Sequence, residues 1–311
     1  MKSVADNKPL IAHLCMFGAC AGWGLMAPVG KDAMTHGITG LDMVAFRVIG
    51  AAVLFWITSL FVRREHVPLK DVFRFIFAGL FGLVTNQCCY TVGLSITSPV
   101  NASIVTTSMP IFAMILSALI LKEPITGKKA IGVLAGCSGA LILILTSAAA
   151  VDERVGEIRG DLLCLGAQLS FAFYLALFSP LVRKYSPFTV NKWMFFWASF
   201  MVLPLTCRDL VSTDWQAVPA KTWIECAYVV FVGTYISYIL MMNGQKILRP
   251  TVVSVYNYVQ PLVSVTVSLV AGIAVFGWSQ ATAVILVFGG VWLVTKSKSR
   301  ADIIREREEK H

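Results

Sequence analysis

The chain has 311 residues, 57% of them hydrophobic and only 14% charged, with a mean hydropathy of +0.74. A soluble domain usually carries about 25% charged residues, so these residues cannot cover a water-facing surface. The formal charge of +9 does not signal nucleic acid, because the Lys and Arg residues sit in short loops between apolar runs and form no basic stripe interleaved with aromatics.

A spanning helix needs ~20 largely apolar residues to cross ~30 Å of hydrocarbon. Ten stretches qualify. The first, 10–30, follows Lys2 and Lys8 and reads as a signal anchor, since many spans come after it. It carries Trp23 between Gly22 and Gly24, deeper than the interfacial belt where Trp usually sits. The second, 41–62, holds Arg47, the one basic residue well inside a span. A charge near mid-membrane costs at least ~2.5 kcal/mol, so Arg47 is expected to face protein or a watery cavity. It reads either as an anchor for a substrate carboxylate or phosphate, or as a structural arginine paired with Asp42 or with helix-end carbonyls.

The third span, 72–94, has Asn86 and Gln87 near its middle and Tyr90 one turn on. Asn86 and Tyr90 are four apart and share a face; amides here either tie helices together or bind a polar substrate. In the fourth, 100–121, Asn101, Ser103, Thr106 and Thr107 precede Pro110. The fifth, 127–148, carries a small-residue ridge of Gly132, Gly136 and Gly139, suited to helix packing or dimerisation. The sixth, 159–182, holds Gln168 and places Tyr174 beside Ala172 and Ala176. The seventh is 188–207. The eighth, 222–243, carries Tyr235 and Tyr238, three apart and able to share a face. In the ninth, 251–274, Ser254, Tyr256, Asn257, Tyr258 and Gln260 precede Pro261; the tenth, 279–296, repeats the glycines at Gly289 and Gly290. No Asp or Glu lies at mid-depth, so coupling through a carboxylate relay is not indicated. Eight Cys, mostly in apolar runs and without a CxxC pair, imply free thiols and no metal site.

Placing the N-terminus in the cytoplasm puts 20 Lys and Arg residues on the inside and 5 outside, with Arg47 within a span. That bias predicts an even number of spans with both termini cytoplasmic, in a multi-pass protein of the inner membrane. A shift of 151 residues superposes the halves: Pro99 falls on Pro250, Pro110 on Pro261, Gly93 on Gly244, Ser103 on Ser254 and Trp23 on Tyr174. Five spans per copy is odd, so the second copy must be inserted upside down. The predicted fold is therefore all-α and membrane-integral, with ten transmembrane helices as two inverted five-helix repeats around a central cavity. The repeats are 1–148 and 159–298, joined by a periplasmic linker at 149–158 and followed by a charged tail at 299–311. Inverted repeats point to secondary transport. Each proline frees a carbonyl one turn earlier, near Thr106 and Asn257, and such breaks are tolerated where backbone lines a cavity; they mark Pro110 and Pro261 as candidate hinges, although a simple kink would look the same.

Several stretches carry a resemblance when read in order: Gly40 to Arg47 at the start of the second span; Pro99 to Ala113 with Pro110 in mid-helix; Leu121-Lys122-Glu123-Pro124-Ile125-Thr126 followed by Ile131-Gly132 and Gly136; and Gly160-Asp161-Leu162-Leu163 leading to Tyr174. This pattern resembles the drug/metabolite transporter superfamily, in its ten-helix EamA-type branch, over nearly the whole chain. The resemblance implies a cavity ringed by spans 1, 3, 4, 6, 8 and 9, with 5 and 10 peripheral, and export or exchange of small metabolites such as amino acids without a cofactor. The chain departs from the pattern where the shift places Ala274 opposite Glu123. The substrate-binding candidates are Trp23, Arg47, Asn86, Gln87, Tyr90, Ser103, Thr106, Tyr174, Tyr235, Tyr238, Asn257 and Gln260. The expected partners are a small-molecule substrate and the lipid bilayer, with the chain a monomer or homodimer. The rival readings are a membrane enzyme, for which His66 and Asp71 give an acyltransferase-like HxxxxD spacing, and a non-transporting structural protein.

Overall fold

The computed structural model describes residues 8–97, 99–148, 158–270 and 277–308. All regular structure among them is helical. Helix α1 is Lys8–Thr35, α2 Gly40–Ser59, α3 Leu69–Ile96, α4 Pro99–Thr106, α5 Met109–Ile120, α6 Gly127–Ala148, α7 Ile158–Lys184, α8 Pro187–Ser212 and α9 Ala220–Ile247. Then come α10 Pro250–Val255, a 3₁₀ turn Tyr256–Tyr258, α11 Val259–Val270, α12 Trp278–Thr295 and α13 Arg300–Glu308. Eight helices among the described residues are long and apolar enough to cross a membrane: α1, α2, α3, the Ala102–Ile120 stretch of α4 and α5, α6, α7, α8 and α9. The predicted ninth span is divided into α10, the 3₁₀ turn and α11, and its last residues, 271–274, lie outside the described ones. The predicted tenth is the shorter α12. The predicted linker, except Ile158, and Ala274 also lie outside.

Local chemistry sets the helix starts. Thr39 and Asp42 form a capping box on α2, the Thr39 hydroxyl accepting from the Asp42 N–H at 3.1 Å and the Asp42 carboxylate accepting from the Thr39 N–H at 3.0 Å. Ser186 caps α8 with Pro187 behind it, and Glu65 accepts the Ser186 N–H at 2.9 Å. Pro68 and Pro219 start α3 and α9 in the same conformation, φ −62° and ψ 148°. Each of these two long helices then widens into a π-helical segment, Leu80–Thr85 in α3 and Phe231–Ile236 in α9. Their boundaries match under a shift of 151 residues, and the starts of α6 and α12, Gly127 and Trp278, match under the same shift.

The principal neighbours of the early helices come from the later half of the chain: α1 packs on α9, α2 on α8, α3 on α7 and α6 on α12. The α6–α12 contact is backbone to backbone. A Cβ on Gly132 would sit 2.8 Å from the Gly290 carbonyl oxygen, closer than real Cβ atoms come. The glycine ridge is therefore spent inside the chain, against α12 and the Tyr258 ring, rather than left for dimerisation. Outward faces carry large apolar side chains: Leu14, Val53, Leu119, Leu134, Phe200 and Ile285 are all exposed. In water such a surface would associate; it suits hydrocarbon.

Ion clusters tie helix ends. Buried Asp71 at the start of α3 accepts from Lys184 and from the Tyr185 hydroxyl after α7, at 2.5 Å for the latter, and pairs with Arg74 at 3.3 Å. Lys221 at the start of α9 reaches Asp32 near the end of α1 at 2.7 Å and Glu225 at 3.3 Å. Glu123, between α5 and α6, takes Lys129 at 3.2 Å and Arg249 at 3.7 Å, and so ties the α6 and α10 starts together. In the predicted tail, α13 is capped by Ser299 and Asp302.

Candidate functional site

The helix breaks converge on one polar cavity. It holds about 580 Å³ and is lined by Trp23 and Met26 of α1, Arg47 of α2, Asn86, Gln87 and Tyr90 of α3, Thr106 of α4, Gln168 and Phe171 of α7, Tyr238 of α9, Asn257 of the 3₁₀ turn and Gln260 of α11. A second chamber of about 460 Å³ shares Tyr90, Thr106, Asn257 and Gln260 and adds Ser103, Thr107 and Pro261. A narrower one, about 300 Å³, leads from Arg47 and Tyr90 past Met26, Met34 and Met43 to Lys31. Among the described residues neither α6 nor α12 contributes to these three walls.

Arg47 sets the electrostatics. It is 4% exposed, and its Nε donates to the Thr234 hydroxyl at 3.2 Å. Thr234 belongs to the π segment of α9 and donates onward to the Val229 carbonyl at 2.8 Å, five residues back. Asp42 does not neutralise Arg47. Its carboxylate is taken by the α2 cap and by Thr213 of the α8 end at 2.7 Å. Among the described residues Arg47 makes no ion pair, and the main cavity wall holds no carboxylate. A buried guanidinium whose η nitrogens find neither counter-ion nor hydrogen-bond partner among the described residues is expensive unless a ligand or water meets it.

Several of the amides are held by neighbouring side chains or by backbone. Gln87 donates to the Tyr238 hydroxyl at 2.9 Å, Gln260 to the Asn257 side-chain carbonyl at 2.9 Å, and Asn86 to the Ala167 carbonyl at 2.9 Å. Asn257 in turn donates to the Met109 sulfur at 3.1 Å. Thr106 donates its hydroxyl to the Ala102 carbonyl at 2.8 Å, inside α4. Trp23 meets the Tyr238 ring edge-on at 5.7 Å. Gly24 lets α1 approach closely here: a Cβ on it would lie 2.7 Å from the Gln260 carbonyl oxygen. Both prolines stand just inside the helix that resumes after a break, Pro110 in α5 and Pro261 in α11.

Ten of the twelve candidate residues thus line the two larger chambers. Tyr174 and Tyr235 do not. Tyr174 is fully buried behind the wall, donating to Gln245 at 3.1 Å and covering Gly82 of the α3 π segment. Tyr235 pairs its hydroxyl with Thr58 of α2 at 2.6 Å and stacks on Phe231. The expectation that Tyr235 shares a face with Tyr238 assumed an α-helix; the wider π turn swings Tyr235 away. The sequence reading also passed over Met26, Phe171 and Thr234. Met26 follows Trp23, and Phe171 follows Gln168, at helical spacing of three, which was a usable signal. His66 lies exposed in the α2–α3 loop while Asp71 is bound up with Lys184, Tyr185 and Arg74, so the HxxxxD pair forms no catalytic dyad.

A polytopic helical membrane protein with a polar cavity at its helix breaks is the class these features define. The sequence profile of the EamA-like transporter family matches residues 10–145 and 158–296, and the chain belongs to that family. Similar proteins include an uncharacterized transporter, YetK, of Bacillus subtilis, 23% identical over 99% of this chain and 93% of its own length. Another is the WALLS ARE THIN 1 protein of Arabidopsis thaliana, 24% identical over 94% of this chain and 84% of its own. A chain of known crystal structure superposes with a TM-score of 0.71 at 19% identity, covering 91% of this chain and 96% of that one, and shares its fold.

Proposed function

We propose that this member of the EamA-like transporter family is a secondary transporter that exports or exchanges small metabolites bearing a carboxylate, amino acids among them. The observation that carries this reading is Arg47: a buried cation without a counter-ion among the described residues, in a cavity wall otherwise built of amides, hydroxyls, aromatic rings and Met26. Its η nitrogens offer the forked geometry that receives a carboxylate. The Asn86, Gln168 and Asn257 side chains supply acceptors for an ammonium, and Trp23 and Tyr90 supply ring faces for it.

Alternating access between two inverted five-helix halves accounts best for the scaffold. The support is the common 151-residue offset of the π segments and helix starts, and two contacts between equivalent residues. Gln87 meets Tyr238, and Thr107 receives the Tyr258 hydroxyl at its carbonyl at 3.3 Å; each pair is 151 residues apart. Residues related by a two-fold axis touch their own equivalents only on that axis. An axis through both pairs runs through the cavity, where one site can be offered to either face. In this reading the breaks before Pro110 and Pro261 are the hinges, both termini are cytoplasmic, and the chain sits in the inner membrane.

The test is flux. Purified protein in liposomes should exchange labelled amino acids or dicarboxylates, with Arg47→Gln losing the exchange while remaining folded. Failure to move any carboxylate-bearing solute, with transport confined to cations or neutral compounds, would reject the assignment.

A further inference from the structure

A second built site lies away from the cavity, where the end of α2 meets the start of α8. A groove of about 830 Å³ opens there between Trp56, Leu60, Arg63 and Arg64 on one side and Phe188 and Lys192 on the other. Three of these residues are cations, and among the described residues none of the three forms an ion pair. Glu65, the one carboxylate in the groove, is already engaged: both its oxygens accept the Ser186 N–H, at 2.9 and 3.1 Å. Burial works against its charge, but the hydrogen bonds from Thr189 and Ser186 outweigh it and keep its carboxyl below the usual range. The groove therefore keeps an excess of positive charge.

Its surroundings are those of a bilayer interface. The Lys192 ammonium lies 4.9 Å from the Trp56 ring centre and 5.5 Å from that of Trp193. Beyond the groove, toward the middle of the membrane, α2 and α8 run side by side and expose apolar side chains, Val53 on α2 and Phe200 and Leu203 on α8, while Ile57 is exposed at the level of the groove. The loop-charge bias puts this end of the helices at the cytoplasmic leaflet, where anionic lipids reside. The positive-inside rule alone asks for cations in a loop. It does not ask for three of them to converge from two chain segments on a concave, aromatic-walled groove above a bare apolar track.

The geometry points to a binding site for an anionic phospholipid, its phosphodiester head held by Arg63, Arg64 and Lys192 and its acyl chains lying along the exposed faces of α2 and α8. The site is independent of the transported substrate and of the cavity. The two arginines supply forked donors to phosphate oxygens and the lysine a point charge.

Protein reconstituted in nanodiscs of equimolar phosphatidylglycerol and phosphatidylcholine should, on native mass spectrometry, retain phosphatidylglycerol over phosphatidylcholine by about tenfold or more. Arg63→Gln/Arg64→Gln/Lys192→Gln should bring that preference close to one. A control with three exposed cations of the same side removed, Lys70→Gln/Lys122→Gln/Lys128→Gln, should keep it. Phosphatidylglycerol, but not millimolar inorganic phosphate, should raise the melting temperature of the wild type. Equal retention of the two lipids by the wild type overturns the proposal, as does an equal loss in the control variant, which would mean diffuse surface charge. Stabilisation by inorganic phosphate to the same extent would also overturn it, marking a small-anion site. If the triple groove variant does not fold, the wild-type lipid preference and the single Lys192→Gln change decide the matter.

Discussion

Replacing Arg47 by Gln separates a substrate anchor from a structural arginine, because the two roles predict opposite signs for stability. The guanidinium is 4% exposed, holds one hydrogen bond through Nε to Thr234 at 3.2 Å, and pairs with no carboxylate among the described residues. Keeping an arginine at the centre of a membrane helix costs ~2.5–3.5 kcal/mol. The one charge-assisted hydrogen bond returns ~1.5–3 kcal/mol. The two nearly cancel, so Arg47→Gln should leave the melting temperature unchanged or slightly raised. The substrate loses much more. A charge-assisted contact to its carboxylate worth ~1.5–3 kcal/mol corresponds to roughly a 10- to 100-fold rise in KM. Arg47→Lys keeps the charge but not the fork and should fall between. Proteoliposome exchange with a carboxylate substrate and with its carboxamide closes a double-mutant cycle: the carboxamide should be handled equally poorly by wild type and variant. A melting temperature that drops by many degrees, with exchange lost only in proportion to unfolded protein, would refute the anchor and leave a structural cation.

Other perturbations probe the walls and the helix ends. Gly24→Val places a side chain where a Cβ alone would be 2.7 Å from the Gln260 oxygen, so α1 must move off α11; overpacking of ~1–3 kcal/mol is expected, with loss of flux in liposomes and a lower melting temperature. Glu123→Gln strands Lys129, which is 1% exposed, without its counter-ion at 3.2 Å, and should cost about 3 kcal/mol in thermal or denaturant unfolding. Adding Lys129→Met should recover most of that loss; no recovery would mean that Arg249 is the partner that matters. Lys31→Gln removes the cation at the far end of the Arg47 channel, where Lys31 donates to the Leu94 carbonyl at 3.1 Å. Flux should fall two- to fivefold for substrate offered from that face and hold for substrate offered from the other, the size of a partly exposed charge effect.

The helices were legible because ~20-residue apolar runs leave the backbone little choice in a membrane. Trp23, Asn86, Gln87, Tyr90, Thr106, Asn257 and Gln260 were legible for a related reason: polar groups in apolar spans must meet somewhere, and here they meet around one cavity. The π segments were not. A π turn is one extra residue accommodated in a helix, and it changes no hydropathy; only Gly82 and Gly233, which the 151-residue shift superposes, hint at it. That hidden residue is why Tyr235 points to Thr58 and Tyr238 to Gln87. Nor does spacing reveal that the Arg47 partner is Thr234, 187 residues away, rather than Asp42 five residues back; the capping box had already claimed Asp42.

The scaffold repeats more faithfully than its chemistry. The shift that carries the α3 π segment onto that of α9 carries Arg47 onto Ala198, which is fully buried, Gln87 onto Tyr238 and Trp23 onto Tyr174. A cavity made by two equivalent halves would hold two cations or none. This one holds a single cation on the side of the first half, faced by Asn257 and Gln260 from the second. If the proposed alternating access holds, a carboxylate bound there keeps one orientation whichever face the cavity opens to, since Arg47 stays with α2. Exchange then requires the helices around the substrate to move while its charged end stays on one anchor. In the proposed cycle the 151-residue repeat would supply the movement, and Arg47, which forms no ion pair among the described residues, the selectivity.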